Sequence, residues 1–385
     1  MSTIFDQHVV IVGGGRLGSG VANMLLQRSG SPRLTILGTD AERTRRRANL
    51  SLLTATQLGF DPRVDTEECD LRDVDRTAEQ IDRLDPDVVF NTASLQAWWV
   101  IGELPPRVFA QLDVADIGPW LPMQLTLVHK LMRAISLSGR TPLVANAALP
   151  DVTHAMLDKV GLAPTIGVGN VANVVPGLRR AAADVLGLPL AAIDLRLVAE
   201  AFVSHTLKNT TDVKGAPYHL AVLVNDQEVD VDVAELVLLL STRYARVGGA
   251  DGSLLTAASS VTVLDALMRA EGDLVHAPGP GGRIGGYPVR VWRDRVELAL
   301  PNSVSAHEAE AANAAAMVHD GIAEVRENGS AVYTPENMAI VERMLGYSAK
   351  TVTLDESEDQ ARELAAAYAA FRRSLGMAEA GPASA

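Results

Sequence analysis

The most constraining feature of the chain is the run HVVIV at His8–Val12, followed without a spacer by GGGRLG at 13–18. Residues 19–27 then carry apolar side chains at helical spacing. A continuous, β-branched run bounded by glycines is expected of a parallel strand covered on both faces. The order strand, Gly-x-Gly-x-x-Gly, helix gives each glycine a task. Gly13 makes the tight turn, Gly15 lets the backbone approach a pyrophosphate, and Gly18 lets the helix pack on the strand. The helix N-terminus then offers unpaired N–H groups to the phosphates, and Arg16 and Leu17 of the turn are expected beside the cofactor. A purely structural glycine turn is the alternative.

A second strand at 34–37 ends in Gly38, Thr39 and Asp40. A ribose with a free 2′-hydroxyl usually meets an acid where that strand ends. Gly38 stands there instead, and Arg43, Arg45, Arg46 and Arg47 follow. A guanidinium fork suits a 2′-phosphate, so the chain leans toward NADP over NAD. The alternatives are a ribose contact from Asp40, and arginines that merely form a solvated helix face. Asp70 and Leu71 sit where adenine is expected. A helix at 77–84 leads to a strand at 87–91, and Thr92, Ala93 and Ser94 follow at its C-terminal end, where open parallel sheets collect ligands. Trp98 and Trp99 mark a longer connection, as packing or as substrate lining. A helix at 121–136 and a strand at 142–146 ending in Asn146 complete the alternation. This predicts a Rossmann NAD(P)-binding domain, a doubly wound parallel sheet, over residues 1–150.

The full length of 385 residues, 48% apolar, is enough for two cores. A formal charge of −13 argues against nucleic acid and against an anionic membrane surface. Cys69 is the one cysteine, which excludes an internal disulfide and any multi-cysteine metal site. No run approaches the roughly 20 apolar residues of a membrane span, and the N-terminus lacks a signal pattern. A cytoplasmic α/β protein without a metal is expected.

The rest of the chain reads as an α+β substrate domain over 151–347, with a helical extension at 348–375 and a disordered tail at 376–385. A glycine turn at 167–170 is flanked by Asn170 and Asn173, able to orient a carbonyl or to cap the turn. A helix is expected at 176–186 and a strand at 193–203 carrying Glu200. His205 lies five residues beyond Glu200, and Lys208 three further, so Glu200 and His205 could share proton transfer while Lys208 holds a carboxylate or phosphate. Tyr218 and His219 form a second possible acid–base pair. The glycine-rich segment 279–288 contains Arg283, which could close over an anion as part of a lid, or simply link two strands. Ser305 is expected to cap a helix. Leu364, Tyr368, Phe371 and Leu375 form an apolar stripe that docks on the body or on a partner subunit.

Several segments together resemble the lactate/malate dehydrogenase superfamily, with saccharopine-dehydrogenase-like proteins as a second relative of the first half. VVIVGGGRLGSG matches the superfamily's cofactor turn, and VANAALPDV its strand ending in an Asn, here Asn146. GVGNVANVVPGLRRAAADVLGLP resembles the glycine turn and substrate-domain helix, and VELALPNSVSAHEAEAANAAA the closing strand and helix. Family dehydrogenases use a His in a Gly-Glu-His-Gly-like segment, an Asp that orients it and an Arg that grips the substrate carboxylate. By ungapped count that Glu is Glu200 and that His is Ala201, while the Arg position reads Val175, Pro176, Gly177. The Cys/His metal pair of the superfamily's NAD-dependent glycosidases is not visible either.

The expected function is an NAD(P)-dependent oxidoreductase moving hydride to or from a small polar carbonyl, hydroxyl or amine, in a homodimer or homotetramer. The alternatives are a non-redox enzyme using transient oxidation by NAD, and a catalytically silent NAD(P)-binding sensor or scaffold.

Overall fold

The computed structural model describes residues 7–377. The expected disordered tail lies, from 378 on, outside the described residues. The first half alternates β1 (His8–Val12), α1 (Arg16–Leu26), β2 (Arg33–Gly38), α2 (Ala41–Gln57), β3 (Val64–Glu68), α3 (Val74–Leu84) and β4 (Val88–Asn91). After a connection holding α4 (Pro106–Leu112) come α5 (Leu121–Ser138), β5 (Leu143–Asn146), α6 (Pro150–Asp158) and β6 (Ile166–Gly167). All six strands are parallel, in the order β3-β2-β1-β4-β5-β6. The order reverses between β1 and β4, which opens a crevice at their C-terminal ends. The sheet thus takes its last strand from beyond residue 150, and Pro150 starts a helix rather than ending the domain.

The second half runs α7 (Val171–Leu186), β7 (Ile193–Val198), α8 (Ala201–Leu207), β8 (His219–Val224), β9 (Gln227–Val229), α9 (Val233–Ser241) and α10 (Ser253–Arg269). It continues through β10 (Glu271–Pro278), β11 (Gly286–Trp292), β12 (Val296–Leu298), α11 (Ala306–Met317), β13 (Ile322–Val325), β14 (Ala331–Tyr333), α12 (Pro335–Leu345), β15 (Thr351–Val352) and α13 (Ser357–Ser374). The strands form three antiparallel three-stranded sheets, β7-β8-β9, β10-β11-β12 and β13-β14-β15. α11 opens with the expected cap: the Ser305 hydroxyl accepts from the Glu308 N–H, and Glu308 reaches back to Ser305 N–H in a capping box.

The strand expected at 193–203 stops at Val198. Glu200 caps α8 by accepting from Phe202 N–H at 2.7 Å, so the remaining apolar run is helical. α7 begins five residues earlier than expected and carries Pro176 inside it.

The halves are interlocked. α10 packs on α1 in the core that holds β1, and Arg28 pairs with Asp265 at 2.7 Å. α13 docks on α5 through Leu364 and Tyr368, both buried, while Leu375 at the end of the stripe stays exposed. β15 belongs to the sheet begun by β13, so the segment expected to start an extension at 348 instead completes one.

The glycine-rich segment 279–288 is packed and links β10 to β11, which agrees with its reading as a linker between strands and not with a mobile lid. Added Cβ atoms would meet Pro150 O at 2.5 Å from Gly279, the Asp158 side chain at 2.5 Å from Gly282 and the Asn313 side chain at 2.4 Å from Gly285. Here glycine serves close approach. Arg283 is held by Glu310 at 2.9 Å and does not line the cleft described below.

Candidate active site

At the crevice, Gly13 adopts φ 108° and its N–H donates to Leu37 O at 2.8 Å. The Thr92 hydroxyl donates toward Val12 O and Gly13 O at 3.1 and 3.0 Å, and a Cβ on Gly13 would fall 2.4 Å from it. Gly15 is the N-cap residue of α1 with no side chain over the helix end. Gly18 lets α1 approach β1, since a Cβ there would lie 2.1 Å from Gly13 O. The turn is therefore closed by contacts that only glycine permits, and the first N–H groups of α1 remain open beside it.

A pocket of about 220 Å³ lies next to this turn, lined by Gly13, Gly38, Thr39, Arg43, Asp70, Leu71, Ala93 and Ser94, among others. Gly38 follows the last β1-paired residue of β2, where a Cβ would strike Thr44 Oγ1 at 2.3 Å. Arg47, unremarked as a separate contact in the sequence, donates to Gly14 O at 2.6 Å. Burial, then the charges of Arg43 and Arg16, lower the pKa of its guanidinium. Asp40 does not line the pocket. Its carboxylate caps α2, accepting from Arg43 N–H at 2.9 Å, with Arg43 Nε at 3.8 Å.

Ser94 also borders a larger cleft of about 700 Å³. One wall is the connection after β4, with Trp98 and Trp99, and the Arg16 guanidinium lies 6.0 Å from the Trp99 ring centre. The facing wall brings Asn170 and Asn173 from α7, His205 and Lys208 from α8, and Arg246 from the segment between α9 and α10. Asn173 is engaged, donating to Thr256 Oγ1 and accepting from Ser259 Oγ at 3.0 Å each. Asn170, at φ 45°, donates to the Asp151 carboxylate. His205 has no hydrogen bond among the described residues. Burial, then Lys208 and Arg246, push its imidazole down to about 3, so it is neutral. Arg246 carried no signal in the sequence: it lies in a polar loop, and only the fold brings it to His205.

Four expected site residues lie elsewhere. The Glu200 side chain is wholly buried at the α8 cap, beside Asp320, and does not reach the cleft. Burial and the neighbouring Asp151 push it up to about 8, while burial pushes Asp151 to about 7. Asp320 is raised likewise by burial and by Glu200, and one buried oxygen of each of the three acids has no hydrogen-bond partner. Tyr218 and His219 sit at the start of β8, where His219 pairs with Val198, outside the cleft lining. Asn146 spends its amide internally, accepting from Asn91 Nδ2 at 2.8 Å and meeting His154 Nε2 at 3.1 Å. It is wholly buried and offers nothing to a ligand.

The architecture matches solved structures. It aligns with malate dehydrogenase from Plasmodium falciparum at TM-score 0.55 and 11% identity, over 82% of this chain and 97% of that one. It aligns with lactate dehydrogenase from Eimeria maxima, solved with NADH and oxamate, at 0.56 and 13%, over 80% and 91%. MGS-M5, a lactate dehydrogenase from a Medee basin deep-sea metagenome library, aligns at 0.51 and 16%, over 82% and 96%. This is the lactate/malate dehydrogenase fold. No family model matches the sequence, and no curated protein does.

Within this fold the family's acid–base position, by the count above, is Ala201, wholly buried and without a proton to give. Ala201, His205 and Lys208 lie four and three residues apart along α8, hence on one face. An imidazole is thus present on that face, one turn further on. The segment where the family's arginine is expected, Val175, Pro176 and Gly177, lies inside α7.

Proposed function

We propose that the protein is an oxidoreductase that uses a nicotinamide cofactor, NADP in preference to NAD, on a small polar carbonyl, hydroxyl or amine. The observation that carries this is the continuity of the site. The glycine turn, the adenosine-sized pocket and the cleft ending at His205 share Ser94 as a common border.

The residues fit such a cofactor. The turn at 13–18 has the cradle that added Cβ atoms would fill, and it lies at the N-terminus of an 11-residue helix with no acid in its first turn. Arg43, with Gly38 and Thr39, forms a pocket wall suited to a 2′-phosphate, and Asp70 and Leu71 a wall suited to adenine. Thr92, Ala93 and Ser94 border the passage from one pocket to the next. When bound, the nicotinamide supplies hydride transfer. His205 accepts or returns the hydroxyl or amine proton, and Trp98, Trp99 and Ile117 exclude water from the cleft.

The test is a fluorescence titration with NADPH and NADH. NADPH binding at least about tenfold tighter, equivalent to about 1.4 kcal/mol, with the difference abolished in R43Q, is the expected result. Failure of both to bind would sink the oxidoreductase reading.

A further inference from the structure

Three groups on one wall of the cleft have no partner. Lys208 Nζ, the Arg246 guanidinium and the His205 imidazole all line the 700 Å³ cavity, and none makes a hydrogen bond or ion pair among the described residues. Elsewhere Arg28, Arg140, Arg269 and Arg283 are each paired with an acid. In a protein of net charge −13, two half-buried cations left unpaired side by side are costly unless a ligand brings the missing charge. The surrounding protein lowers the pKa of Lys208, first by burial and then by Arg246, with Asp113 opposing. The two cations are therefore close enough to repel.

They come from different elements and converge on one place instead of marking two ends of a molecule. That arrangement suits one compact group with two negative charges. The segment carrying Arg246 adds Gly248, Gly249 and Gly252 to the same lining, and an added Cβ on Gly248 or Gly249 would meet nothing within 4 Å. The backbone there is free to approach a bulky oxyanion.

We propose that Lys208 and Arg246 hold a phosphoryl group of the substrate, which tethers its reacting carbon within reach of His205. This rests on the oxidoreductase reading and deepens it by naming the substrate class, a phosphorylated carbonyl or alcohol. The groups that act on His205 are Lys208, just past the end of its own helix, and Arg246, while Asp113, also in the cleft lining, acts on Lys208. Burial is the first cause of the low imidazole pKa and the two cations the second, so a dianion between Lys208 and Arg246 offsets only their share and leaves His205 neutral.

The experiment is calorimetric titration with inorganic phosphate, malonate and acetate, on the protein alone and saturated with NADPH. Phosphate should bind at least tenfold more tightly than acetate or malonate. R246Q and K208Q should each weaken it at least tenfold and leave NADPH affinity unchanged. Phosphate no tighter than acetate, malonate as tight as phosphate, or phosphate affinity unaltered in R246Q overturns the proposal. So does a loss of NADPH affinity in R246Q and K208Q, which would assign the cations to the cofactor. Because phosphate is titrated on the protein alone as well, its result is read independently of whether NADPH binds.

Discussion

His205 is held neutral by its surroundings, and nothing among the described residues competes for its ring nitrogens. Substituting it with Gln should lower kcat by about 10²–10⁴-fold, the usual contribution of a positioned acid–base, while NADPH affinity stays within twofold. Steady-state kinetics with a found substrate, beside a fluorescence titration, checks both halves of that statement. At Gly18 the expectation is mechanical. A methyl group there must displace the Gly13 carbonyl, only 2.1 Å away, so G18A should lose about 1–3 kcal/mol, as overpacked sites do, and weaken cofactor binding. Urea unfolding and the same titration measure these. The glycine turn was legible because its chemistry is local: six consecutive residues and their flanks carry it. Arg246 was not, since a cation in a loop acquires meaning only from what the fold sets beside it. Tyr218 and His219 misled for the converse reason, a pair adjacent in sequence that the strand start at β8 keeps away from the cleft.

Among elements, the buried acids joining α6, α8 and the approach to β13 have a consequence for stability. Asp151 and Glu200, raised to about 7 and about 8 by burial first, keep protons that the unfolded chain gives up near pH 4. The folded state therefore binds more protons from about pH 4 upward, and stability is lost as pH rises through that window to about 8. Each such carboxyl contributes a slope of up to about 1.4 kcal/mol per pH unit. Unfolding midpoints should fall between pH 5 and 8, and E200Q, which mimics the protonated acid, should flatten the fall. An unchanged slope in E200Q counts against burial as the origin of the pH dependence. Glu200 also shows why α8 was hidden. The run around it is apolar on both sides, which reads as a strand, and only its carboxylate on the Phe202 N–H turns the chain into a helix. At 279–286 the composition suggested freedom, yet composition cannot tell a glycine that moves from one that is crowded.

For the whole molecule, the decisive contacts are those that tie the connection after β4 to the last helix. Tyr368 Oη donates to Val100 O at 3.1 Å, Arg372 pairs with Glu103 at 3.0 Å, and the Trp120 and Tyr368 rings meet edge-on at 5.4 Å between centres. Asn337 from α12 donates to Ala115 O at 3.0 Å, and Gly118 N–H to Asp320 O at 2.7 Å. The tryptophan wall of the cleft is thus braced from behind. Y368F should cost about 1 kcal/mol, the net worth of one hydrogen bond, and raise amide hydrogen exchange across 98–104 while leaving β1 and β4 protected. The alternation of strands and helices made the doubly wound sheet readable. The division at 150 and at 348 was not, because periodicity reports which face of an element is apolar and never which distant element covers it.

That brace spans 268 residues of sequence between Val100 and Tyr368. A ribosome delivers the glycine turn and the first five strands of the sheet early, as a unit able to begin folding, but the substrate side of the site stays without a back wall until α13 has emerged. During synthesis the glycine turn would thus stand complete while the far side of the cleft still lacks its support, and the two sides of the crevice would be finished at different times.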